Sequence, residues 1–296
     1  MDTRPALKLA IMTDLHVGID AGSGFQNPFL TDDARETVAA TVAAVNQRKP
    51  DLVLIPGDLT HNATENELAE VLAYLNELCC PFVVCKGNHD RETPAAAQRF
   101  DRALGKNAQP GIVQRADLNL PPGMVILVLE SSWKRAGPPY PDGPQPLAVL
   151  DDGIAEHAIH ELVQLRPEWL LIVSHYPLVS QVIHSTTSNL KYGGHIRGGD
   201  ELLKQLRARA GAVILFSGHN HYHHILEDEN WLQCATGALV EYPAEFRLVT
   251  IVDDSVMIST HAGAPAAVAA APEPGCPSVR GRTEDRERIW RPNRAL

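Results

Sequence analysis

Five short blocks of metal-ligand residue types punctuate this chain: Asp14-Leu15-His16, Gly57-Asp58, Gly87-Asn88-His89-Asp90, Ser174-His175 and Gly218-His219-Asn220-His221. Each follows a run of apolar, strand-like residues. Together they offer two aspartates, one asparagine and four or five histidines to a common point. Carboxylate oxygen and imidazole nitrogen suit Mn, Fe, Zn, Co or Ni ions rather than calcium. No block contains cysteine, which argues against a closed structural zinc site. A ligand set of this kind can hold two transition-metal ions side by side, and that arrangement is chemistry for hydrolysing phosphoesters.

Something must bring ligands from more than 200 residues of sequence to one place. Short apolar runs at 7–12, 52–55, 82–85, 124–129, 169–173, 212–216, 231–235, 246–252 and 256–258 have the length and Val/Ile/Leu content of buried strands. Amphipathic stretches lie between them. Thr64-x-x-Glu67 is a capping box opening a helix with Leu68, Val71, Leu72, Leu75 and Leu78 on its apolar face. Residues 32–49, 154–165 and 200–210 read as further helices. Strand and helix alternate in the first half, which implies parallel pairing by crossover. The last three strands follow one another through short turns and are expected to form an antiparallel meander. A single mixed sheet, or two sheets stacked with helices outside, fits both halves. In such folds ligands bind beyond the carboxyl ends of parallel strands, and Asp14, Asp58, Asn88, His175 and His219 all stand just past a predicted strand.

The 296 residues carry a formal charge of −10, which disfavours a nucleic-acid duplex as partner. The charge is uneven: residues 279–296 hold six arginines against three acids, a net +3, and the remainder carries −13. Cys79, Cys80, Cys85, Cys234 and Cys276 are odd in number and form no CxxC pair, so reduced thiols in a cytoplasmic protein are expected. The first residues lack the features of a signal peptide, and no apolar run approaches the ~20 residues that span a bilayer. No membrane partner is expected; a homo-oligomer is left open. From about Ala262 the composition turns Ala/Pro-rich and then charged. Residues 263–296 therefore read as a tail outside the 1–262 domain: either disordered, or an arm docked on the acidic body or a partner subunit through Ile289 and Trp290.

The order of the blocks resembles the calcineurin-like metallophosphoesterase superfamily. Leu59-Thr60 after Gly-Asp, Gly198-Gly199-Asp200, and Leu239-Val240-Glu241-Tyr242-Pro243 followed by Phe246-Arg247-Leu248-Val249 resemble, more narrowly, the bacterial class III cyclic-nucleotide phosphodiesterases and glycerophosphodiesterases. The resemblance covers roughly residues 7–262. It implies an α/β fold, a four-layer αββα sandwich of two mixed sheets flanked by helices. It also implies one metal on Asp14, His16, Asp58 and His221, and a second on Asp58, Asn88, His175 and His219, with Asp58 bridging and a hydroxide between the ions as nucleophile. His89 is implied as the acid for the leaving alkoxide, with Asp90 orienting its ring or capping the following helix.

Other side chains are weaker candidates for substrate contact: His61, His195, His223, Arg91, and after them Lys134 and Arg197. The loops 18–30 and 137–146 and the segment 180–194 are where the substrate would be selected. The expected activity is hydrolysis of a small phosphodiester. A phosphomonoesterase of the same fold is the alternative, and a non-catalytic scaffold the remote one, since none of the ligand blocks is broken.

Overall fold

The computed structural model describes residues 6–19, 24–30, 34–133, 147–150, 153–181, 190–191, 193–263 and 279–293. Its first half contains β1 (Leu7–Ile11), α1 (Ala34–Arg48), β2 (Leu52–Ile55), α2 (Glu65–Leu75), β3 (Phe82–Val84), α3 (Pro94–Leu104), β4 (Gly111–Ile112) and β5 (Met124–Leu129). There follow β6 (Ser131–Trp133), β7 (Leu147–Leu150), α4 (Ile154–Leu165), β8 (Trp169–Ser174), β9 (His195–Ile196), α5 (Gly199–Arg207) and β10 (Ala212–Ser217). The chain closes with β11 (His224–Glu227), β12 (Trp231–Ala235), β13 (Glu245–Val252), β14 (Ser255–Ala262), a helical turn at Thr283–Arg286 and β15 (Arg288–Trp290).

Successive side chains of a strand point to opposite faces, and both faces of the central strands are apolar. Leu9, Ile11, Leu52, Leu54 and Val83 face Ile126, Val128, Leu171, Val173, Ile214 and Phe216 across the middle of the molecule. Their neighbours Ala10, Met12, Val53, Ile55 and Val84 are covered by α1, α2 and α3 through Val38, Val45, Leu68, Val71 and Phe100. On the other side Leu127, Leu170, Ile172, Val213 and Leu215 are covered by Ala158 and Leu162 of α4 and Leu202, Leu203 and Leu206 of α5. The result is helices, sheet, sheet, helices. The sheets run β15-β14-β13-β1-β2-β3 and β11-β12-β10-β8-β5-β4, and a small third sheet runs β6-β7-β9.

Both large sheets are mixed, with parallel centres. β1, β2 and β3 pair in parallel, as do β5, β8, β10 and β12. The capping box forms as the sequence predicts: Thr64 Oγ1 accepts from Glu67 N at 3.2 Å, and Glu67 Oε2 accepts from Thr64 N at 3.1 Å.

Two expectations fail. The three-strand meander is split: β13 and β14 pair antiparallel, but β12 belongs to the other sheet, beside β10. The nine residues 236–244 cross between the sheets and are held on the way by Leu239 N→Thr13 O and Val240 N→Asp14 O, at 3.1 and 3.2 Å. A disordered reading also fails for residues 279–293. β15 extends the first sheet beside β14, with Trp290 opposite Val256. Trp290 is 5% exposed and meets Trp169 edge-on at 6.4 Å, whereas Ile289, opposite Met257, is 59% exposed. Polar contacts fix the arm as well. Arg286 forms a forked pair with Glu245 at 2.7 Å per contact, and Arg247, fully buried, donates to the carbonyls of Asp285 and Ala235.

No helix among the described residues is long and apolar enough to cross a membrane. Cys85 and Cys234 are buried free thiols, Cys79 is exposed and Cys80 half-buried. Cys276, Lys134 and the loop 137–146 lie outside the described residues, as do parts of the segments 18–30 and 180–194.

Candidate metal centre

The carboxyl ends of the parallel strands in both sheets open onto the same edge, and the five blocks occupy that edge. Asp14 and His16 follow β1, Asp58 follows β2, Asn88 follows β3, His175 follows β8, and His219 and His221 follow β10. The backbone there is bent out of the strand conformation. Asp14, His16, Asp58, His219 and His221 all have left-handed backbone, with φ between 44° and 66°. Such a conformation costs on the order of 1–3 kcal/mol per residue and persists only where the surroundings enforce it. The enforcement is visible as backbone bonds from Asp14 N to Gly57 O (3.1 Å) and His16 N to Asp58 O (3.0 Å), which carry the β1–β2 ladder past the ends of the strands. The Gly-Asp and Gly-Asn steps are needed for approach: a Cβ on Gly57 would lie 2.6 Å from His175 Nδ1, and one on Gly87 2.0 Å from Asp58 Oδ1.

Two buried carboxylates organise the cluster. Around Asp14, the Oδ1 atom is 3.2 Å from His221 Nε2 and 4.0 Å from His16 Nε2. Around Asp58, the Oδ2 atom is 3.3 Å from His175 Nε2 and 3.6 Å from His16 Nε2. Asn88 Oδ1 and His219 Nδ1 complete the second half, at 3.1 and 3.2 Å from His175 Nε2. All seven expected ligands are therefore brought together. Asp14, His16 and His221 form one group whose ligand atoms lie within 4.8 Å of one another; Asp14, Asp58 and His175 form another.

The site fits metal ions on its own chemistry. His16 Nε2 is buried without a hydrogen-bond partner while two carboxylate oxygens stand opposite it. Burial holds the His16 imidazole down to about 3, and His89 and His221 add to this against the pull of Asp58, so it is neutral and free to ligate. Burial and the adjacent His175 likewise keep His219 down to about 3. For His175 and His221 burial also works downward, yet Asp58 raises the first to about 9, and Glu241 with Asp14 raises the second to about 10. Asp58 is held well below the usual carboxylate range because His175 outweighs its desolvation. The carboxylates thus call for positive charge, and a cation bound here would compete with protons.

His89 lies against this group. Its ring meets His16 edge-on at 4.7 Å and stacks on His61 at 4.6 Å, and its Nδ1 donates to the His61 carbonyl at 3.0 Å. Asp90 does not hold that ring. Its carboxylate accepts from the backbone N–H groups of Leu59, Thr60 and Gly87 and from Thr60 Oγ1, at 2.9–3.2 Å. It ties the Gly-Asp turn to the Gly-Asn turn. The reason is geometric: Asp90 sits in a 3₁₀ turn that directs it down into the loops, away from His89.

The substrate candidates separate. His61 is in the site, half-buried, with Nδ1 3.5 Å from His16 Nδ1. Arg91 lies close by in sequence, but its guanidinium faces Glu130 at 3.5 Å and the Ser131 carbonyl at 3.3 Å. His195 is half-buried in the small third sheet, opposite Leu147. His223 points away from the centre: it is buried, 3.3 Å from Glu245, and its backbone N–H bonds Val279 of the arm. Its Nδ1 accepts from Gly237 N at 3.2 Å, so both ring nitrogens face residues outside the ligand cluster. Arg197 is exposed, and its N–H bonds Ala148 O.

Four side chains at the centre go beyond what the sequence predicts. Glu241 bonds His221 Nδ1 at 2.9 Å. The Tyr176 hydroxyl donates to Asn88 Oδ1 at 3.2 Å. Phe29 stacks on His16 and Phe25 meets His221 edge-on, at 5.5 and 5.2 Å. Glu241 stands inside the Leu239–Pro243 motif; the aromatic rings carry no signal.

The family model described as calcineurin-like phosphoesterase matches residues 7–223, a span that contains every expected ligand. A probable cyclic nucleotide phosphodiesterase of Synechococcus is 26% identical over 215 residues, 73% of either chain. A second protein of that name, from Rhodopseudomonas palustris, is 27% identical over 58% of this chain and 57% of its own length. Among solved structures, a dimetal phosphatase from Danio rerio superposes with a TM-score of 0.63 at 13% identity, covering 87% of this chain and 96% of that one, a likeness of fold. With its family model matched over most of its length and that family's fold around a carboxylate–histidine cluster, the chain belongs to the calcineurin-like phosphoesterases and is a metal-dependent hydrolase of phosphoric esters.

Proposed function

We propose that the protein is a phosphodiesterase working with two metal ions, one on Asp14, His16, Asp58 and His221 and one on Asp58, Asn88, His175 and His219. The observation that carries this reading is the convergence of overlapping ligand groups on the two buried carboxylates, Asp14 and Asp58. Ions bound there would supply Lewis acidity and a nucleophile at neutral pH.

The side chains do the remaining work. Asp58 presents one oxygen to both His16 and His175 and accepts the backbone N–H of His89 on the other at 2.9 Å, which fixes its plane. His89 handles the leaving group. Its Nδ1–H is committed to the His61 carbonyl, so Nε2 is the atom through which a proton passes. His61, stacked on His89, holds that ring in place and lines the same space.

A diester is favoured over a monoester on charge. A diester phosphate brings one negative charge, a terminal phosphate up to two. Among the described residues the shell around the centre is rich in buried acids, namely Asp14, Asp58, Asp90 and Glu241, and the nearby Arg91 is engaged by Glu130. A second negative charge is poorly matched there. The two relatives named as cyclic nucleotide phosphodiesterases favour cyclic nucleotides as the substrate class, with glycerophosphodiesters next.

The test is kcat/KM for bis-(p-nitrophenyl) phosphate, 3′,5′-cyclic AMP and p-nitrophenyl phosphate, at one pH with one metal loaded. Both diesters should exceed the monoester. A tenfold preference for the monoester moves the protein to the phosphatase reading.

A further inference from the structure

Glu241 lies on the crossover that joins the two sheets, 1% exposed. Among the described residues no lysine or arginine reaches it, and its one ionisable partner is His221, whose Nδ1 is 2.9 Å from Oε1. A buried carboxylate with only an imidazole opposite it is costly unless its other lone pairs are satisfied, so its place here calls for a reason. The rest of its hydrogen bonds supply one. Oε1 accepts from the backbone N–H groups of Phe25 and Gln26 at 2.9 and 3.1 Å, and Oε2 accepts from Asn27 N at 3.1 Å.

The segment 24–30 is thus strung on a carboxylate that also grips a metal-ligand candidate. Further bonds join the same parts. Leu30 N bonds Val240 O at 2.7 Å, Asn27 Nδ2 bonds Tyr242 O at 3.1 Å, and Gln26 Nε2 bonds Asn220 O at 2.8 Å, between His219 and His221. Phe25 and Phe29 of this segment lie on the rings of His221 and His16.

We propose that Glu241 is a positioning residue with two linked tasks: it orients His221 and raises its basicity toward the metal, and it anchors the 24–30 segment over the centre. A carboxylate behind a ligating histidine fixes its tautomer and strengthens it as a donor. Because one carboxylate serves both, metal binding and loop order are coupled, and the coupling is reciprocal. The inference rests on His221 being a ligand of one ion.

The experiment uses the full chain with Mn²⁺ alone as probe. Ion affinities are read by calorimetric titration, and loop order by chymotryptic cleavage after Phe25 and Phe29. E241Q, which keeps the shape but not the charge, should weaken one ion by about 10- to 100-fold and leave the other unchanged. E241A should do the same and also speed cleavage, and Mn²⁺ should protect the loop in the wild type but not in E241A. E241D, restoring a carboxylate, should recover part of the lost affinity, which separates positioning from a folding defect. Wild-type affinity for both ions in E241Q, equal weakening of both, or a loop indifferent to Mn²⁺ would overturn the proposal. H221A distinguishes the underlying reading: if it binds both ions normally, the ligand assignment itself falls and Glu241's role falls with it.

Discussion

Two regions of this molecule bury acids together with bases, and they balance charge in opposite ways. Where the C-terminal arm docks, Glu245 meets Arg286 in a forked pair and His223 beside it, and Asp285 is met by Arg282 at 3.0 Å and bonds Ile225 N. At the metal centre Asp14, Asp58 and Glu241 face imidazoles, and among the described residues no lysine or arginine pairs with them. The backbone differs as well: five left-handed residues crowd the centre, whereas β15 is plain extended chain. A cluster that neutralises itself with guanidinium groups is complete as a joint. One that holds carboxylates against imidazoles, whose protons a cation can displace, on strained backbone, is built to receive a cation. Burial alone does not separate the two.

Four experiments test that contrast. Asp58→Asn removes the carboxylate shared by both halves of the centre; hydrolysis should fall to near background and bound metal below two ions per chain, by elemental analysis. Full metal content in this variant would erase the distinction. His89→Ala should retain both ions while lowering kcat about 10²- to 10⁴-fold for substrates with alkoxide leaving groups. The loss should be smaller for nitrophenolate esters, which need little protonation, and equal losses would exclude a proton donor at His89.

Trp290→Ala strikes the arm. Removing a buried tryptophan should cost about 3–5 kcal/mol in denaturant unfolding, with kcat unchanged in the protein that remains folded. A variant that loses metal affinity instead would mean that the joint and the centre are one unit.

The smallest effect is that of pH on the arm. Burial tends to raise Glu245, but Arg286 and His223 hold it down to about 2, so its stabilisation is complete above its ordinary value of 4.5 and is lost as pH falls toward 2. Burial and Arg247 hold His223 down to about 4 from 6.5, so protonating it opposes folding progressively between pH 6.5 and 4. Melting temperature should therefore decline from pH 6.5 downward, and His223→Gln should flatten the upper part of that decline. An unchanged profile would remove His223 from the arm's acid sensitivity.

The ligand blocks were legible because each couples an unusual residue set to the end of a strand, and apolar runs such as 52–55 and 212–216 are readable one by one. The helix opened by Thr64 and Glu67 was legible for the same local reason. What escaped depends on partners far away in the chain. Glu241 receives N–H groups from about 215 residues upstream, and a backbone donor has no side-chain signature. β15 buries one residue of three in an arginine-rich stretch, so its alternation is too short to register. His223 follows the last ligand by two positions, and nothing local says that the chain turns over between them. The split of the expected meander has one cause: the nine-residue link 236–244 runs from one sheet to the other, and nothing local in its sequence says so.

The place of β1 has a consequence for biosynthesis. It lies inside its sheet, with β2 on one side and β13 on the other, and Leu7 pairs with Ile251. A ribosome delivering about 5–20 residues per second needs on the order of 10–50 s to supply that second neighbour. Through most of that interval the nascent chain carries Asp14 and His16 beside an open strand edge, with His219 and His221 still to be made. Capture of metal by the full set must then wait until residue 221 has been made, and the exposed edge is where a chaperone would be most needed.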